Sequence, residues 1–138
     1  MKTDKERLDY INFICNTDYK TLDKVNWWYI SMFQKLSEDF IREFQYNVFW
    51  NCISEYQKLS EDFIREFKDK VCWNYISFHQ KLSEDFIREF QNDVEWSYIS
   101  QKQDLSKDFL REFKHRIDWS TYLNREDILD MVIDKLIN

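Results

Sequence analysis

Adjacent carboxylates are the most regular feature of the sequence that is capable of chemistry. The repeated Glu-Asp pairs are Glu38-Asp39, Glu61-Asp62 and Glu84-Asp85. Paired carboxylates can act as general acid and general base in a hydrolase. These pairs, however, recur with the same neighbours, whereas a reaction centre normally occurs once. Negative charge in the first turn of a helix complements the helix dipole, and we therefore interpret the pairs as helix starts.

The sequence contains few other residues that could act in catalysis or bind a metal ion or a phosphate. His79 and His115 fall at different positions of the sequence repeat, so a histidine-based triad or metal site has few members to draw on. Cys15, Cys52 and Cys72 show no CxxC spacing, and we interpret them as reduced thiols. A Gly-rich phosphate loop is excluded because the sequence contains no glycine. We expect no enzymatic activity, no metal and no cofactor.

A repeat positions all of these residues. The eleven-residue stretch that begins at Gln34 returns unchanged at Gln57 and Gln80 and with changes at Gln103, a constant step of 23 residues. Tryptophan keeps the same step, at Trp27, Trp50, Trp73, Trp96 and Trp119. A fixed period of this length is typical of a stacked repeat array.

The repeat reads as two short helices. Neither Gly nor Pro occurs, which disfavours β-hairpins and β-rich repeats. A first helix, helix A, starts near Trp27, and a second, helix B, starts at the N-cap Ser37. Phe40, Ile41 and Phe44 form the inward stripe of helix B. The sequence therefore predicts an all-α solenoid of short helical hairpins.

The repeat register predicts a single domain with atypical ends. A cap at 1–24 precedes four repeats at 25–47, 48–70, 71–93 and 94–116, and a partial repeat with a capping helix covers 117–138. Terminal units depart from the repeat because their outer faces meet water. Helical spacing of apolar residues predicts the capping helix, at Ile128, Leu129, Val132, Ile133, Leu136 and Ile137.

Repeated polar residues have two interpretations. The glutamines and arginines recur at Gln34, Gln57, Gln80, Gln103, Arg42, Arg65, Arg88 and Arg111. They can line a groove with evenly spaced donors, or they can form a ladder between adjacent repeats, which we favour. Glu38 and Arg42 also stand four residues apart, the spacing of a helical ion pair. We interpret the repeated serines as residues that allow close helix packing and not as nucleophiles; they are Ser31, Ser54, Ser77 and Ser100.

The string W-x-x-I-S-x-x-Q-K-L-S-E-D-F-I-R-E-F runs through residues 27–44 and recurs in the next copies. It resembles the short tandem repeats of large DNA viruses and phages, over residues 25–119. The resemblance implies a viral or phage origin, a helical array and no known catalysis. The fourth copy departs from the string at Asp104, Lys107 and Leu110.

Information about binding is expected where the copies differ, because the shared residues define the scaffold. Apolar residues occupy several of these variable positions, mainly in the N-terminal half. The candidate contact residues are Trp28, Met32, Phe33, Tyr46, Phe49, Tyr56, Phe78 and His79. Those near the N-terminus either pack beneath the first helices or form an exposed patch that docks a partner protein or a second copy of the chain.

Charge and composition narrow the class of partner and the compartment. The net charge of −6 and the lack of a dense Lys/Arg cluster disfavour direct binding to nucleic acid. No apolar run approaches the roughly 18 residues of a membrane span, and residues 1–7 lack the apolar core of a signal peptide. We expect a cytoplasmic protein, acting in the host cytoplasm if it is viral.

The favoured function is that of a non-catalytic module which binds a host protein through the variable positions. One alternative is an acidic mimic of nucleic acid that inhibits a host nuclease or defence complex. A second alternative is a sponge that binds a nucleotide in a groove between repeats.

Overall fold

The structure, a computed structural model, describes residues 1–137, and within that range all regular secondary structure is helical. The first compact unit, Met1–Val71, contains α1 (Asp4–Cys15), a 3-10 turn (Leu22–Lys24), α2 (Trp27–Phe33), α3 (Glu38–Glu43), α4 (Trp50–Tyr56) and α5 (Glu61–Glu66). The second, Cys72–Asn138, contains α6 (Trp73–His79), α7 (Glu84–Glu89), α8 (Trp96–Lys102), α9 (Lys107–Glu112), α10 (Trp119–Leu123) and α11 (Glu126–Ile137).

Successive hairpins pack side by side within each unit, as the period predicts. α2 packs against α4 in the first unit, and α8 packs against both α6 and α10 in the second. Each helix A of the four full repeats buries an isoleucine such as Ile30, and each helix B buries a phenylalanine such as Phe40. The predicted fold class, an all-α repeat of short helical hairpins, is confirmed. The predicted division into one domain with terminal caps stays a prediction.

The repeated tryptophan joins the two helices of a hairpin. The Trp50 ring lies 5.0 Å from the Phe67 ring, which lies 4.7 Å from the Phe63 ring, measured between centroids. The Trp50 indole N–H also donates a hydrogen bond to the Gln45 carbonyl at 3.0 Å. The same ring geometry recurs in the second unit. One side chain therefore contributes both apolar burial and a satisfied polar group.

Serine caps begin every helix B, as predicted. Ser37 Oγ accepts a hydrogen bond from the Phe40 N–H at 3.1 Å, and the same bond recurs at Ser60, Ser83 and Ser106. The serine oxygen accepts from one of the first N–H groups of the helix, which have no intrahelical acceptor.

Within each unit, a buried serine connects one helix A to the start of the next. Ser100 Oγ donates to the Trp96 carbonyl at 2.7 Å and accepts from the Asp118 N–H at 2.9 Å. Ser31 and Ser77 likewise accept from the N–H group 18 residues further along the chain. The small side chain lets neighbouring helices approach while it satisfies their polar groups. The packing role predicted for the repeated serines is confirmed.

Gln57 joins the second repeat to the first through its amide group. Its Oε1 accepts from the Leu36 N–H at 2.9 Å, and its Nε2 donates to the carbonyls of Ser31 and Gln34 at 2.9 and 2.7 Å. Both carbonyls lie at the C-terminal end of α2, where a helix lacks intrahelical donors. Gln103 makes the same three bonds in the second unit. The ladder interpretation of the glutamines is confirmed here.

The acidic residues of helix B also act between repeats. The Glu38 and Arg42 side chains approach each other only to 4.0 Å, whereas Arg42 pairs with Asp39 at 2.9 Å and with Glu66 of the next repeat at 2.8 Å. Glu38 instead accepts from the N–H of Ser60, the cap of the next helix B, at 2.6 Å. The predicted pair within one helix is thus the weakest of these contacts.

At the end of the last repeat, a different side chain takes the place of the glutamine. Arg125 Nη1 donates to the Gln103 carbonyl at 2.6 Å, in place of a glutamine amide. The amphipathic helix predicted to follow is present as α11, but Leu129, Ile133 and Leu136 are exposed. The side chain of Val132, predicted on the same apolar face, lies outside the described residues. The capping role of α11 stays a prediction.

Asp118 caps α10 and accepts several hydrogen bonds there. It accepts from the Thr121 N–H at 3.1 Å, from the Thr121 hydroxyl at 2.8 Å and from the Ser120 hydroxyl at 2.9 Å. These bonds, those from Thr121 foremost, lower the pKa of Asp118 below its usual value. Its ionised form therefore stabilises the fold above the ordinary aspartate pKa of about 4, and this contribution is lost as the pH falls through the lower folded-state value.

Replacing Gln57 by leucine should destabilise the protein by about 2–3 kcal/mol. The apolar side chain leaves one N–H and two carbonyls without these partners in a position where the wild-type residue is 4% exposed. Urea denaturation followed by circular dichroism measures the change. Lys58→Leu, an exposed neighbour, is the control and should change the free energy of unfolding by about 0.5 kcal/mol or less. A loss at Gln57 no larger than in the control contradicts the prediction.

Asp118→Asn should make the melting temperature less sensitive to pH between about pH 6 and about pH 3, because asparagine caps a helix without titrating in this range. Melting curves at several pH values test this by comparing the variant with the wild type. Asp118→Ala, which removes the cap at every pH, should lower the melting temperature throughout. Equal pH dependence in the wild type and Asp118→Asn would rule out the predicted contribution.

Candidate functional site

Three aromatic side chains of α2 form an exposed group, which we call the aromatic cluster: Trp28, Tyr29 and Phe33. They are between 43% and 59% exposed. The Phe33 ring lies 5.9 Å from the Trp28 ring in an edge-to-face arrangement and 5.1 Å from the Tyr29 ring. The opposite face of α2 is anchored by the buried Ile30 and Ser31. The rings are therefore held together at the surface on a fixed helix.

The neighbouring helix extends this surface. α4 packs against α2, and Tyr56 occupies on α4 the repeat position that Phe33 occupies on α2. Tyr56 is exposed, whereas Met32 and Glu55 are half-buried. Phe49, at the N-terminal end of α4, is exposed as well, although its N–H is bound to Ser31. The first unit thus presents predicted contact residues on two adjacent helices.

The N-terminal helix does not cover these residues, because it packs on helix B. The Tyr10 ring of α1 lies 5.6 Å from the Phe40 ring and 6.3 Å from the Phe44 ring. The Arg7 guanidinium lies 5.1 Å from the Phe44 centroid. The alternative that the N-terminal aromatic residues pack beneath the first helices is therefore wrong for Trp28, Phe33, Tyr46 and Phe49, which are all exposed.

Tyr46 belongs to a different group of contacts. It follows α3 in a turn, and its ring is covered by the Lys70 ammonium at 4.1 Å from the centroid. Lys70 Nζ also donates to Gln45 Oε1 at 3.0 Å. A cation from the next repeat thus already occupies one face of this ring, which distinguishes Tyr46 from the aromatic cluster.

In the second unit, Phe78 and His79 are brought together with two residues of α8. The Phe78 ring lies 4.6 Å from the His79 ring and 5.1 Å from the Tyr98 ring, and the Lys102 ammonium lies 4.4 Å above it. A cavity of about 300 Å³ adjoins these side chains and is also lined by Lys81. We call it the basic groove, because its exposed lining side chains include two lysines and one carboxylate, that of Asp104.

Sequence reasoning missed part of both groups. Tyr29, Tyr98 and Lys102 were not among the predicted contact residues. The tyrosine position reads Tyr29, Cys52, Tyr75, Tyr98 and Thr121 along the repeats. Because several copies share a tyrosine at this position, a comparison of the differences between copies does not identify it. The available signal was the spacing of Tyr29 and Phe33, which lie four residues apart on one helix face.

The residues first considered for catalysis are dispersed or already engaged. Glu38 and Asp39 bind Ser60 and Arg42, as described above. Among the residues that the structure describes, no group of three or more His, Cys, Asp and Glu side chains is arranged to hold a metal ion. Across residues 1–137, no helix combines the length and apolar character needed to cross a membrane.

The three cysteines form no disulfide, and they differ in burial. Cys15 is 2% exposed at the end of α1, and burial raises the pKa of its thiol to about 11. Burial, and to a lesser extent the charge of Glu55, raises the pKa of the half-buried Cys52. Because the thiolate is the nucleophile, a raised pKa lowers reactivity.

Cys15 should react with iodoacetamide at least about tenfold more slowly than Cys52 and Cys72 at about pH 8, where only about a thousandth of a thiol with a pKa of about 11 is ionised. Peptide mass spectrometry after timed quenching measures the three rates. Urea at unfolding concentration serves as the control, since it should remove the difference. Equal rates in the folded protein would contradict the burial of Cys15.

No protein-family profile, characterised protein or solved structure matches the chain. A function is therefore inferred from the exposed side chains of the two units and from their contacts.

Proposed function

We propose that the chain is a non-catalytic interaction module that binds a partner protein through the aromatic cluster. The observation that carries the proposal is the grouping of three large, roughly half-exposed rings, in which Trp28 and Tyr29 both contact Phe33. Exposed apolar groups of this kind mark interaction sites, and tryptophan and tyrosine contribute strongly to binding energy. The rings lose little freedom on binding because they are already held by their neighbours.

The different roles of the shared and the variable residues support the same proposal. Shared residues such as Gln57, Ser31 and Arg42 are engaged in contacts between repeats. Variable residues such as Trp28 and Phe33 point away from those contacts and are exposed. One scaffold can in this way present different binding surfaces.

The sequence resemblance to tandem-repeat proteins of large DNA viruses and phages favours a host protein as the partner. Cysteines that form no disulfide are typical of a reducing compartment, and the three of this chain therefore support action in the host cytoplasm.

The contacts of the exposed side chains support the two alternative functions to different extents. The acidic-mimic alternative loses support because Glu38 and Asp39 are occupied by contacts with the chain's own Ser60 and Arg42. The nucleotide-sponge alternative retains one favourable observation, the basic groove, whose aromatic ring and lysines suit a base and a phosphate. Its volume of about 300 Å³ is at the lower limit for a ligand site.

The double variant Trp28→Ala/Phe33→Ala should bind the partner at least about tenfold more weakly than the wild type, because two adjacent aromatic anchors are removed. Affinity purification from expressing host cells identifies the partner, and calorimetry with the purified partner gives the Kd. The melting temperature should change little, since both side chains are exposed.

Tyr46→Ala is the matched control, because it removes an exposed ring outside the aromatic cluster. It should leave the Kd unchanged. Unchanged binding by the double variant counts against this surface. A steep fall of affinity with added salt in that case favours the acidic mimic, and self-association that depends on the two rings assigns the surface to a second copy of the chain.

A further inference from the structure

One face of helix A contacts the helix A of the preceding repeat. In the second unit, the Tyr98 ring of α8 lies 5.1 Å from the Phe78 ring of α6, and the Lys102 ammonium lies 4.4 Å from the same ring. Gln103, which follows α8, donates to two carbonyls at the C-terminal end of α6. Because the C-terminal ends meet, α6 and α8 run in the same direction. The third and seventh residues of helix A, with the glutamine that follows, thus form the face towards the preceding repeat.

On the first repeat these positions are Tyr29, Phe33 and Gln34, which we call the open joint face. Tyr29 is 43% exposed, whereas its counterpart Tyr98 is half-buried. Gln34 is half-buried, whereas its counterpart Gln57 is 4% exposed. Among residues 1–137, the Gln34 amide group has no hydrogen-bond partner. The first repeat therefore presents the side chains of a joint between repeats without a helix A to receive them.

The place of a preceding helix B, in contrast, is occupied by α1. Arg7 of α1 pairs with Glu43 at 3.5 Å, as Arg42 pairs with Glu66 of the next repeat at 2.8 Å. The ring contacts of α1 described above lie on the same helix, α3. The open joint face therefore suits one further helix beside α2 and does not suit a complete hairpin.

We propose that the partner protein binds the open joint face with one helix, which lies parallel to α2 in the place of a preceding helix A. An apolar side chain in the last turn of this helix contacts Tyr29 and Phe33, as Phe78 contacts Tyr98. Its last carbonyls, which have no intrahelical donors, accept from the Gln34 amide. This inference rests on the proposed function and names the element of the partner that is recognised.

A second copy of the chain is a poorer occupant than a helix of another protein. The last helix A of the array is α10, and the residue at the position of Phe78 is Asn124, which is polar. Glu126, at the position of Gln80, already belongs to α11, so its carbonyl does not lie at the C-terminal end of a helix A. This helix thus lacks the apolar side chain and one of the two carbonyls that the joint uses.

The probe for the test is the peptide Ac-WNYISFHQKL-amide, which contains the sequence of α6 and continues to Leu82. NMR follows the side-chain amide signal of Gln34 while the isotope-labelled full chain is titrated. We expect saturable binding with a Kd on the order of 1 mM, because the free peptide must also form its helix. The Phe78→Ala version of the peptide should bind at least about fivefold more weakly. No saturable shift at Gln34, or equal binding of the alanine peptide, would overturn the inference.

Variants of the protein isolate the contribution of the amide. Gln34→Glu keeps the shape of the side chain, removes its donors and places a negative charge at a helix C-terminus, so it should weaken peptide binding at least about tenfold. Lys35→Gln, at an exposed neighbour, is the matched control, because it lowers the net charge by the same amount and should leave the Kd unchanged. An unchanged Kd for Gln34→Glu, or equal weakening by both variants, contradicts the proposed contact.

The melting temperature distinguishes this binding role from a structural one. It should change little in Gln34→Glu, because the Gln34 amide has no partner within residues 1–137. Gln57→Leu, which removes the same side-chain amide from an occupied joint, should lower it. A large loss of stability in Gln34→Glu would assign the amide to the fold and overturn the inference.

Failure of this inference can be told apart from failure of the proposed function. If the partner requires Trp28 and Phe33 but binds Gln34→Glu as well as the wild type, only the inference fails. If the partner binds the alanine double variant as well as the wild type, the proposed function itself fails. Self-association of the chain that Gln34→Glu abolishes would assign the open joint face to a second copy and overturn its assignment to a helix of another protein.

Discussion

The hydrogen bonds of a buried glutamine amide are the constraint on which the architecture depends. Helices of six or seven residues cannot satisfy their own ends, and too little apolar surface is buried within one hairpin to compensate for this. The amide of Gln57 satisfies two carbonyls and one N–H of the preceding repeat. Order in one hairpin is therefore conditional on the presence of the next, which is why the chain uses repeats.

Much of the scaffold follows from the sequence because it is determined locally. The serine at position 37 and the stripe at Phe40 and Ile41 predict the start and the inward face of helix B, as the structure confirms. The role of Glu38 could not be predicted in this way, because its partner, the N–H of Ser60, lies in another repeat. The contact of Arg125 with the Gln103 carbonyl was not predicted either, because Arg125 lies one position before the place of a repeat glutamine.

The sequence changes in the fourth copy are also explained by contacts between repeats. Lys107 replaces the glutamate that would reach towards the cap of a following helix B, and α11 follows instead. The side chain of Arg111 is 75% exposed, against 36% for Arg42, which has a glutamate of the next repeat as a partner.

For the candidate site, variable positions identified Trp28 and Phe33. Their exposure depended on where α1 packs, a tertiary contact that no local pattern encodes.

The regular spacing of donors and acceptors has a genetic consequence. The joint between α2 and α4 and the joint between α6 and α8 are made by the same side chains at the same offsets. A duplicated or deleted copy therefore leaves joints of this kind chemically unaltered. Near-identical copies are also the substrate on which unequal recombination acts. The length of such an array can therefore drift by whole copies, while point changes at the exposed positions alter what each copy recognises.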